Sequence, residues 1–170
     1  NRGIDLDLES LPLDQFDDLV AGGFSECWPP RTMFEYSNTG YALLGRIIAN
    51  VSGMPYRRYV EQSLLTPLGM ASSGYQVSEW PVARRSLGYR WEDGRWKREP
   101  DMADGAFGAM GGLQTSANDY ARWVAFLLSA WPPRDDAESG PVSRASVRML
   151  AEGSNFMSVG QRNGKSGATA

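Results

Sequence analysis

The chain combines several helical patterns with one β-hairpin pattern, and this imbalance constrains its fold more than any other feature. The hairpin is predicted at 86–98, where Glu92-Asp93-Gly94 joins two arms rich in aromatic residues. A two-stranded ribbon is only marginally stable by itself in water. We therefore expect the hairpin to belong to a larger sheet, and we expect most of that sheet to lie outside this chain.

Hydrophobic periodicity predicts three helices and a short fourth one. The first begins at residue 38 or 39 and ends at Val51, before Ser52-Gly53, and its apolar positions are Leu44, Ile47, Ile48 and Val51. The second begins near Pro55, since proline suits a first helical turn, and ends before Pro67. The last is predicted at 143–150.

The third helix begins at a capping motif, Ser116 with Asp119 three residues later. Its apolar face is formed by Tyr120, Trp123, Val124, Leu127 and Leu128. The polar, glycine-rich stretch 152–170 is expected to be weakly ordered. Because we find no internal repeat and no second hydrophobic core, we interpret residues 1–170 as a single partial domain of the α/β (α+β) class.

Composition excludes several functions. The net charge of −3 provides no basic surface for nucleic acid. The chain has no histidine, which excludes Ser-His-Asp and Cys-His triads and histidine-based zinc sites within it. Cys27 is the only cysteine, so an internal disulfide is impossible. No apolar run approaches the ~20 residues that span a bilayer.

Residues 34–41 read Phe-Glu-Tyr-Ser-Asn-Thr-Gly-Tyr and lead into the first helix. Tyr36 and Asn38 stand two positions apart on what we expect to be an extended stretch, so their side chains can point to the same side. A tyrosine can accept a proton in an enzyme without histidine if nearby lysines lower its ordinary pKa of about 10. The alternative is that Tyr36 is a buried aromatic residue and Asn38 is the helix N-cap.

Three further segments accompany this motif: 52–55 (Ser-Gly-Met-Pro), 67–70 (Pro-Leu-Gly-Met) and 111–123, which starts Gly-Gly-Leu-Gln-Thr-Ser. Together with 34–41 they resemble the serine β-lactamase-like hydrolases, which include class C β-lactamases, D-alanyl-D-alanine carboxypeptidases and related esterases. The order Thr115-Ser116 departs from the family's Ser-Thr. The resemblance implies a β-lactamase/transpeptidase-like fold, in which an antiparallel sheet is flanked by helices. This chain would be the helix-rich central part of that fold, with a β-hairpin of the sheet.

The resemblance also implies roles for individual residues. Tyr36 would be the general base and acid, working with the lysine of a Ser-x-x-Lys motif, and Asn38 would hydrogen-bond that lysine and the substrate amide. Gly111 and Gly112 would line the cleft without a catalytic duty. No metal or organic cofactor is implied, and the partner is a small-molecule or peptide acyl substrate. The family resemblance suggests an extracytoplasmic location.

Lys165-Ser166-Gly167 is similar to the family's Lys-Thr-Gly box, whose cation and hydroxyl bind the substrate carboxylate. The family usually places one or two strands between the final helix and this box, and little room remains for them here. The alternative is a chance triplet in a polar tail. Lys97, the other lysine, is expected to be solvated on a hairpin arm.

The nucleophile of the family is missing, because no serine in this sequence is followed three positions later by lysine. The chain starts at Asn1 without methionine, and we expect the serine to lie upstream. The predicted function is then part of a serine hydrolase that forms an acyl-serine and hydrolyses β-lactams, D-Ala-D-Ala peptides or small esters. Two alternatives remain open: a non-catalytic β-lactamase-like binding protein, and a helical interaction module.

Overall fold

The computed structural model describes residues 11–23, 28, 29, 32, 36–76, 78, 80–101, 105–152, 158–162 and 165–169. Its helices are α1 (Leu13–Ala21), α2 (Asn38–Ser52), α3 (Tyr56–Val60), α4 (Gly108–Gly111), α5 (Ala117–Leu128) and α6 (Arg144–Ala151). Helix α3 continues as a π-helical turn at Glu61–Leu65, and a 3-10 turn covers Val82–Arg84. No helix in these ranges is long and apolar enough to cross a membrane.

Two antiparallel hairpins supply the strands. Strand β1 (Tyr89–Glu92) pairs with β2 (Arg95–Arg98), and β3 (Ser158–Arg162) pairs with β4 (Lys165–Thr169). The predicted helices and the hairpin at 86–98 are therefore confirmed. The second hairpin lies within 152–170, where the weak order expected from the sequence stays a prediction.

Helix α2 begins and ends as its sequence dictates. Ser37 is extended (φ −141°, ψ 108°), and its hydroxyl accepts a hydrogen bond from the Gly40 amide at 2.9 Å. At the other end Gly53 has a φ of 69°, the left-handed conformation that glycine adopts without steric cost. Its amide donates to the Ala49 carbonyl at 3.0 Å. The stop predicted at Ser52-Gly53 is confirmed.

The buried face of α2 consists of small residues. Ala42 and Gly45 are buried, and a Cβ built on Gly45 would lie 2.6 Å from the Ala109 Cβ, so α2 and α4 approach closely at this point. The apolar stripe that predicts the helix faces outward instead, with Leu44 and Ile47 exposed and Val51 at 85% exposure. The packing surface and the periodic stripe are thus different faces of one helix.

Buried apolar residues form two clusters, which corrects the expectation of one core. The first joins α1 to the segment before α4: Leu11, Phe16, Ala42, Ala106 and Phe107. In it the rings of Phe16 and Phe107 meet edge to face at 5.7 Å. The second lies under α3 and α5: Val60, Leu65, Met70 and Tyr75, with Trp123 packed against it. The spacing of apolar residues along the chain could not predict two clusters, because their membership depends on which helices pack against each other.

The hairpin β1–β2 turns at Asp93 and Gly94, whose φ values of 52° and 73° fit the mirror-image turn that matches strand twist. Trp91 pairs with Trp96, and their ring centroids lie 5.3 Å apart. Both tryptophans are exposed. The larger sheet expected around this hairpin is not present among the described residues, where each sheet has two strands.

Candidate functional site

Tyr36 immediately precedes the cap of α2 and is 65% exposed. This exposure contradicts the alternative in which Tyr36 is a buried aromatic residue. The backbone is extended at Ser37 and helical from Asn38 onward, so the expected extended stretch stops between the two site residues. The first two residues of the 34–41 motif lie outside the described residues.

Asn38 is the first residue of α2, and Ser37 rather than Asn38 caps the helix. The N-cap alternative for Asn38 is therefore wrong. Its Oδ1 atom is buried, and no hydrogen-bond donor in the described part of the chain reaches it. Leaving a buried acceptor unpaired costs about 1–3 kcal/mol. Asn38 thus presents an acceptor whose partner is not among the described residues.

Gly111 and Gly112 end helix α4 and lead into the segment before α5. Gly111 is exposed and Gly112 is buried. The Gly112 amide donates to the Gly108 carbonyl at 2.8 Å, and a Cβ on Gly112 would lie 3.0 Å from that oxygen. The backbone at Gly112 therefore passes close to the preceding turn, where a larger residue would be crowded. Because α4 packs on α2 through Ala109, the pair is tied to the helix that Asn38 begins.

The buried carboxylate of Asp119 holds the segment that follows Gly112 in place. From the sequence, Asp119 was predicted only as part of the capping motif of α5. The Ser116 hydroxyl caps α5 by accepting from the Asp119 amide at 3.2 Å, as predicted. The Asp119 carboxylate, 3% exposed for the whole residue, accepts instead from the Ser72 amide at 2.7 Å and the Ser73 hydroxyl at 2.8 Å. Next to this contact, the backbones of Gly74 and Gln114 hydrogen-bond to each other in an antiparallel β-bridge.

The Lys165-Ser166-Gly167 triplet lies on strand β4. Its residues stand opposite Arg162, Gln161 and Gly160 of strand β3. One strand therefore does fit between the final helix α6 and the triplet, in the space where little room was expected. Within the described ranges β4 pairs only with β3, so no strand pairing links the triplet to Tyr36 or Asn38.

Lys97 projects from β2 into a set of acidic side chains. Its Nζ lies 2.6 Å from Asp93 and 2.8 Å from Glu92. The hydrogen bond to Asp93 and, to a smaller extent, the one to Glu92 raise the pKa of Lys97 above its ordinary 10.5. This lysine keeps its proton near neutrality and cannot serve as a base.

Two of the cavities in the described part of the chain lie near these elements. One of about 540 Å³ lies between α2 and α4, where Gly45, Arg46 and Ala109 contribute to its wall. The other, of about 350 Å³, lies beside the start of α5. Neither is lined by Tyr36 or Asn38. The described residues contain no group of three or more acidic, cysteine or histidine side chains that could hold a metal ion.

Comparison with known proteins identifies relatives for most of the chain. Residues 25–164 match the family model described as Beta-lactamase. Penicillin-binding protein 4 of Amycolatopsis lactamdurans is 29% identical over 160 residues, which cover 89% of this chain and 42% of that protein. Beta-lactamase-like protein 2 of Dictyostelium discoideum is 29% identical over 125 residues, or 74% of this chain and 23% of that protein. The chain thus spans less than half the length of these relatives.

Solved structures show the same fold. The octameric penicillin-binding protein homologue from Pyrococcus abyssi superposes with a TM-score of 0.68 at 29% identity, covering 85% of this chain and 32% of that one. A penicillin-binding protein from Bacillus halodurans has a TM-score of 0.65 at 24% identity, covering 92% and 49%. These neighbours confirm the β-lactamase/transpeptidase-like fold class predicted from the sequence.

Proposed function

This chain belongs to the serine β-lactamase-like family, and on that premise we propose that it serves a serine hydrolase in which Tyr36 transfers protons and Asn38 positions the reactants. The reaction forms an acyl-serine intermediate and hydrolyses β-lactams, D-Ala-D-Ala peptides or small esters. No serine of the sequence has a lysine three positions later, so the reacting serine is not recognisable among these residues.

The observation that carries the proposal is the pairing of an exposed Tyr36 with an unsatisfied Asn38 at one helix start. The Tyr36 hydroxyl can meet a substrate because the side chain is exposed. The buried Oδ1 of Asn38 can accept a hydrogen bond from a lysine ammonium or a substrate amide. A purely structural asparagine would be expected to have its buried oxygen satisfied.

The proton path follows from these roles. Tyr36 as phenolate accepts the serine proton while the serine oxygen attacks the substrate carbonyl, and it then returns that proton to the leaving group. In the second half-reaction it accepts a proton from water, which attacks the acyl-serine, and gives that proton to the released serine. During both steps Asn38 accepts a hydrogen bond from the lysine or from an amide of the substrate's acyl part, and so keeps the acyl group in position.

The proposal assigns two other elements to the same cleft. Gly112 permits the close backbone turn after α4, so Gly111 and Gly112 would form one wall. The Lys165-Ser166-Gly167 triplet lies on an antiparallel strand, the kind of element expected for a carboxylate-binding box. Lys165 and Ser166 would there bind the carboxylate of a β-lactam or a peptide.

The test is acylation by a fluorescent penicillin and hydrolysis of p-nitrophenyl acetate, measured on the complete product of the gene. Tyr36→Phe removes only the hydroxyl and should lower the acylation rate by roughly 10²–10⁴-fold, the usual contribution of general acid–base catalysis. Tyr41→Phe is the matched control, because Tyr41 is also exposed and lies on α2. It should leave the rate unchanged.

Equal acylation rates in the Tyr36→Phe and parent proteins would overturn the role of Tyr36. If penicillin binds reversibly and no acyl adduct forms, the protein is a non-catalytic binding protein instead. Asn38→Ala should weaken both reactions. Asn38→Asp keeps an oxygen that can accept from a lysine ammonium or a substrate amide N–H, so it should retain more of the rate than Asn38→Ala.

A further inference from the structure

The cavity of about 350 Å³ beside α5 has a composition suited to an anion. Its wall includes Trp80, Arg84, Arg85, Ser72, Thr115 and Ser116, and we refer to it as the Arg85 cavity. It brings together the segment around Val82–Arg84 and the start of α5. Nothing in the proposed hydrolysis uses these residues.

Arg85 is the most informative residue of this wall. Its side chain is only 9% exposed, and its Nη1 atom donates to Asp101 Oδ2 at 2.9 Å. Its Nε atom is buried and finds no acceptor in the described part of the chain. A buried guanidinium with an unused N–H is unfavourable unless an acceptor is supplied. An acceptor on a bound molecule would satisfy this N–H.

Charge around the Arg85 cavity favours an anion even though the chain carries a net charge of −3. Arg84 also lines the wall, and among the described residues it forms no ion pair. Asp101 is shared between Arg85 and, at 3.5 Å, Arg98. Arg85 and Arg98 thus share a single carboxylate, and Arg84 adds a further positive charge to the wall.

The start of α5 adds to this preference. Ser116 and Ala117 line the cavity and are the cap and first residue of this helix of 12 residues. Amide groups of a first helical turn lack partners within the helix, and the helix dipole places partial positive charge there. The nearby Asp119 carboxylate does not compete for the cavity, because it is already bound to Ser72, Ser73 and Arg122.

The size of the Arg85 cavity and the other residues of its wall restrict the class of ligand that it can bind. A planar carboxylate can take two parallel hydrogen bonds from one edge of a guanidinium, and the edge that contains Nε is not used by Asp101. Trp80 offers an aromatic surface on which an apolar body can pack. We propose that the Arg85 cavity binds a small organic carboxylate with an apolar or aromatic body, held by Arg85, Arg84 and the start of α5.

The experiment is a benzoate titration of the full, ¹⁵N-labelled chain, followed by the arginine Nε–H signals in NMR spectra. The Arg85 signal is identified as the one missing from the Arg85→Lys variant. We expect it to shift and saturate, with a dissociation constant on the order of 1 mM for a ligand this small. Inorganic phosphate, which lacks an apolar body, should bind at least severalfold more weakly.

Variants locate the binding. Arg85→Lys keeps the charge but loses the two-pronged hydrogen bonding, and should weaken benzoate about tenfold. Arg84→Gln is the second variant, and since Arg84 is exposed it should fold even if Arg85→Lys does not. It should weaken benzoate severalfold. Arg58→Gln makes the same charge change at an exposed position of α3 and is the control, which should have no effect.

Three results would overturn the proposal. The first is the absence of a saturable shift at the Arg85 signal. The second is phosphate binding as tightly as benzoate, which would replace the carboxylate by a simple anion site. The third is an affinity for benzoate that stays unchanged both in Arg84→Gln and in an Arg85 variant that folds.

Discussion

The carboxylate of Asp119 accepts a hydrogen bond at 2.7 Å from the backbone amide of Ser72, 47 positions earlier in the chain. The same oxygen accepts from the Ser73 hydroxyl, and the other oxygen pairs with Arg122 at 2.8 Å. One buried carboxylate therefore fastens the loop after the Pro67–Met70 turn to the first turn of α5. Since the bridge between Gly74 and Gln114 lies next to it, this contact also fixes the segment that follows Gly112.

Replacing Asp119 by alanine should destabilise the chain by about 3 kcal/mol. The change leaves the half-buried Ser72 amide without its acceptor, and hydrogen bonds to a charged group contribute about 1.5–3 kcal/mol each before relaxation. The pair with Arg122 adds little, because the Arg122 side chain is half exposed. Urea unfolding measures the loss. Asp135→Asn, at an exposed position, is the control, and a loss no larger than in that variant would show that Asp119 does not anchor the loop.

Replacing two glycines of α2 by alanine should change the free energy of unfolding in opposite directions. Gly45→Ala places a Cβ 2.6 Å from the Ala109 Cβ and should cost about 1–3 kcal/mol by overpacking, despite the better helix propensity of alanine. Gly40→Ala meets only the Ser37 side chain at ordinary contact distances and should be neutral or stabilise by up to about 1 kcal/mol. Thermal or urea unfolding of both variants checks the contrast. Equal effects would show that α2 and α4 do not pack as described.

Local rules predicted most elements of this fold. The stop at Gly53, the Asp93-Gly94 turn and the Ser116 cap each depend on a few neighbouring residues, and each is confirmed. The cap of α2 was harder to predict, because Ser37, Asn38 and Thr39 are adjacent and all can cap a helix.

The contacts between distant segments could not be predicted in the same way. Periodicity weighs large apolar side chains, so it pointed to the Leu44 face of α2, whereas the small residues Ala42 and Gly45 make the close contact. The partners of Asp119 are likewise invisible to spacing, since they are fixed by how two segments meet. For the candidate site, the start of α2 at Asn38 was predicted correctly, but the catalytic roles of Tyr36 and Asn38 stay predictions.

The ammonium group of Lys97 should titrate above pH 10.5 in the folded chain, because Asp93 and Glu92 stabilise its charged form. Its ion pairs therefore support the β1–β2 hairpin below pH 10.5 and are lost as the pH rises through the higher pKa of the folded state. With only two lysines in the sequence, ¹³C-lysine NMR resolves both, and Lys165→Arg assigns them. Asp93→Asn should lower the pKa of Lys97 and Glu138→Gln should not. A Lys97 pKa that Asp93→Asn leaves unchanged would contradict the ion pair.

The outward face of α2, formed by Tyr41, Leu44, Ile47 and Val51, should be open to solvent in this chain. Leu44→Gln should then change the free energy of unfolding by no more than about 0.5 kcal/mol, as at other surface positions. It should also reduce the binding of the dye ANS, which reports exposed apolar surface. Met70→Ala, at a buried position, is the comparison and should cost about 2–5 kcal/mol. If Leu44→Gln costs as much as Met70→Ala, another part of the protein covers this face in solution.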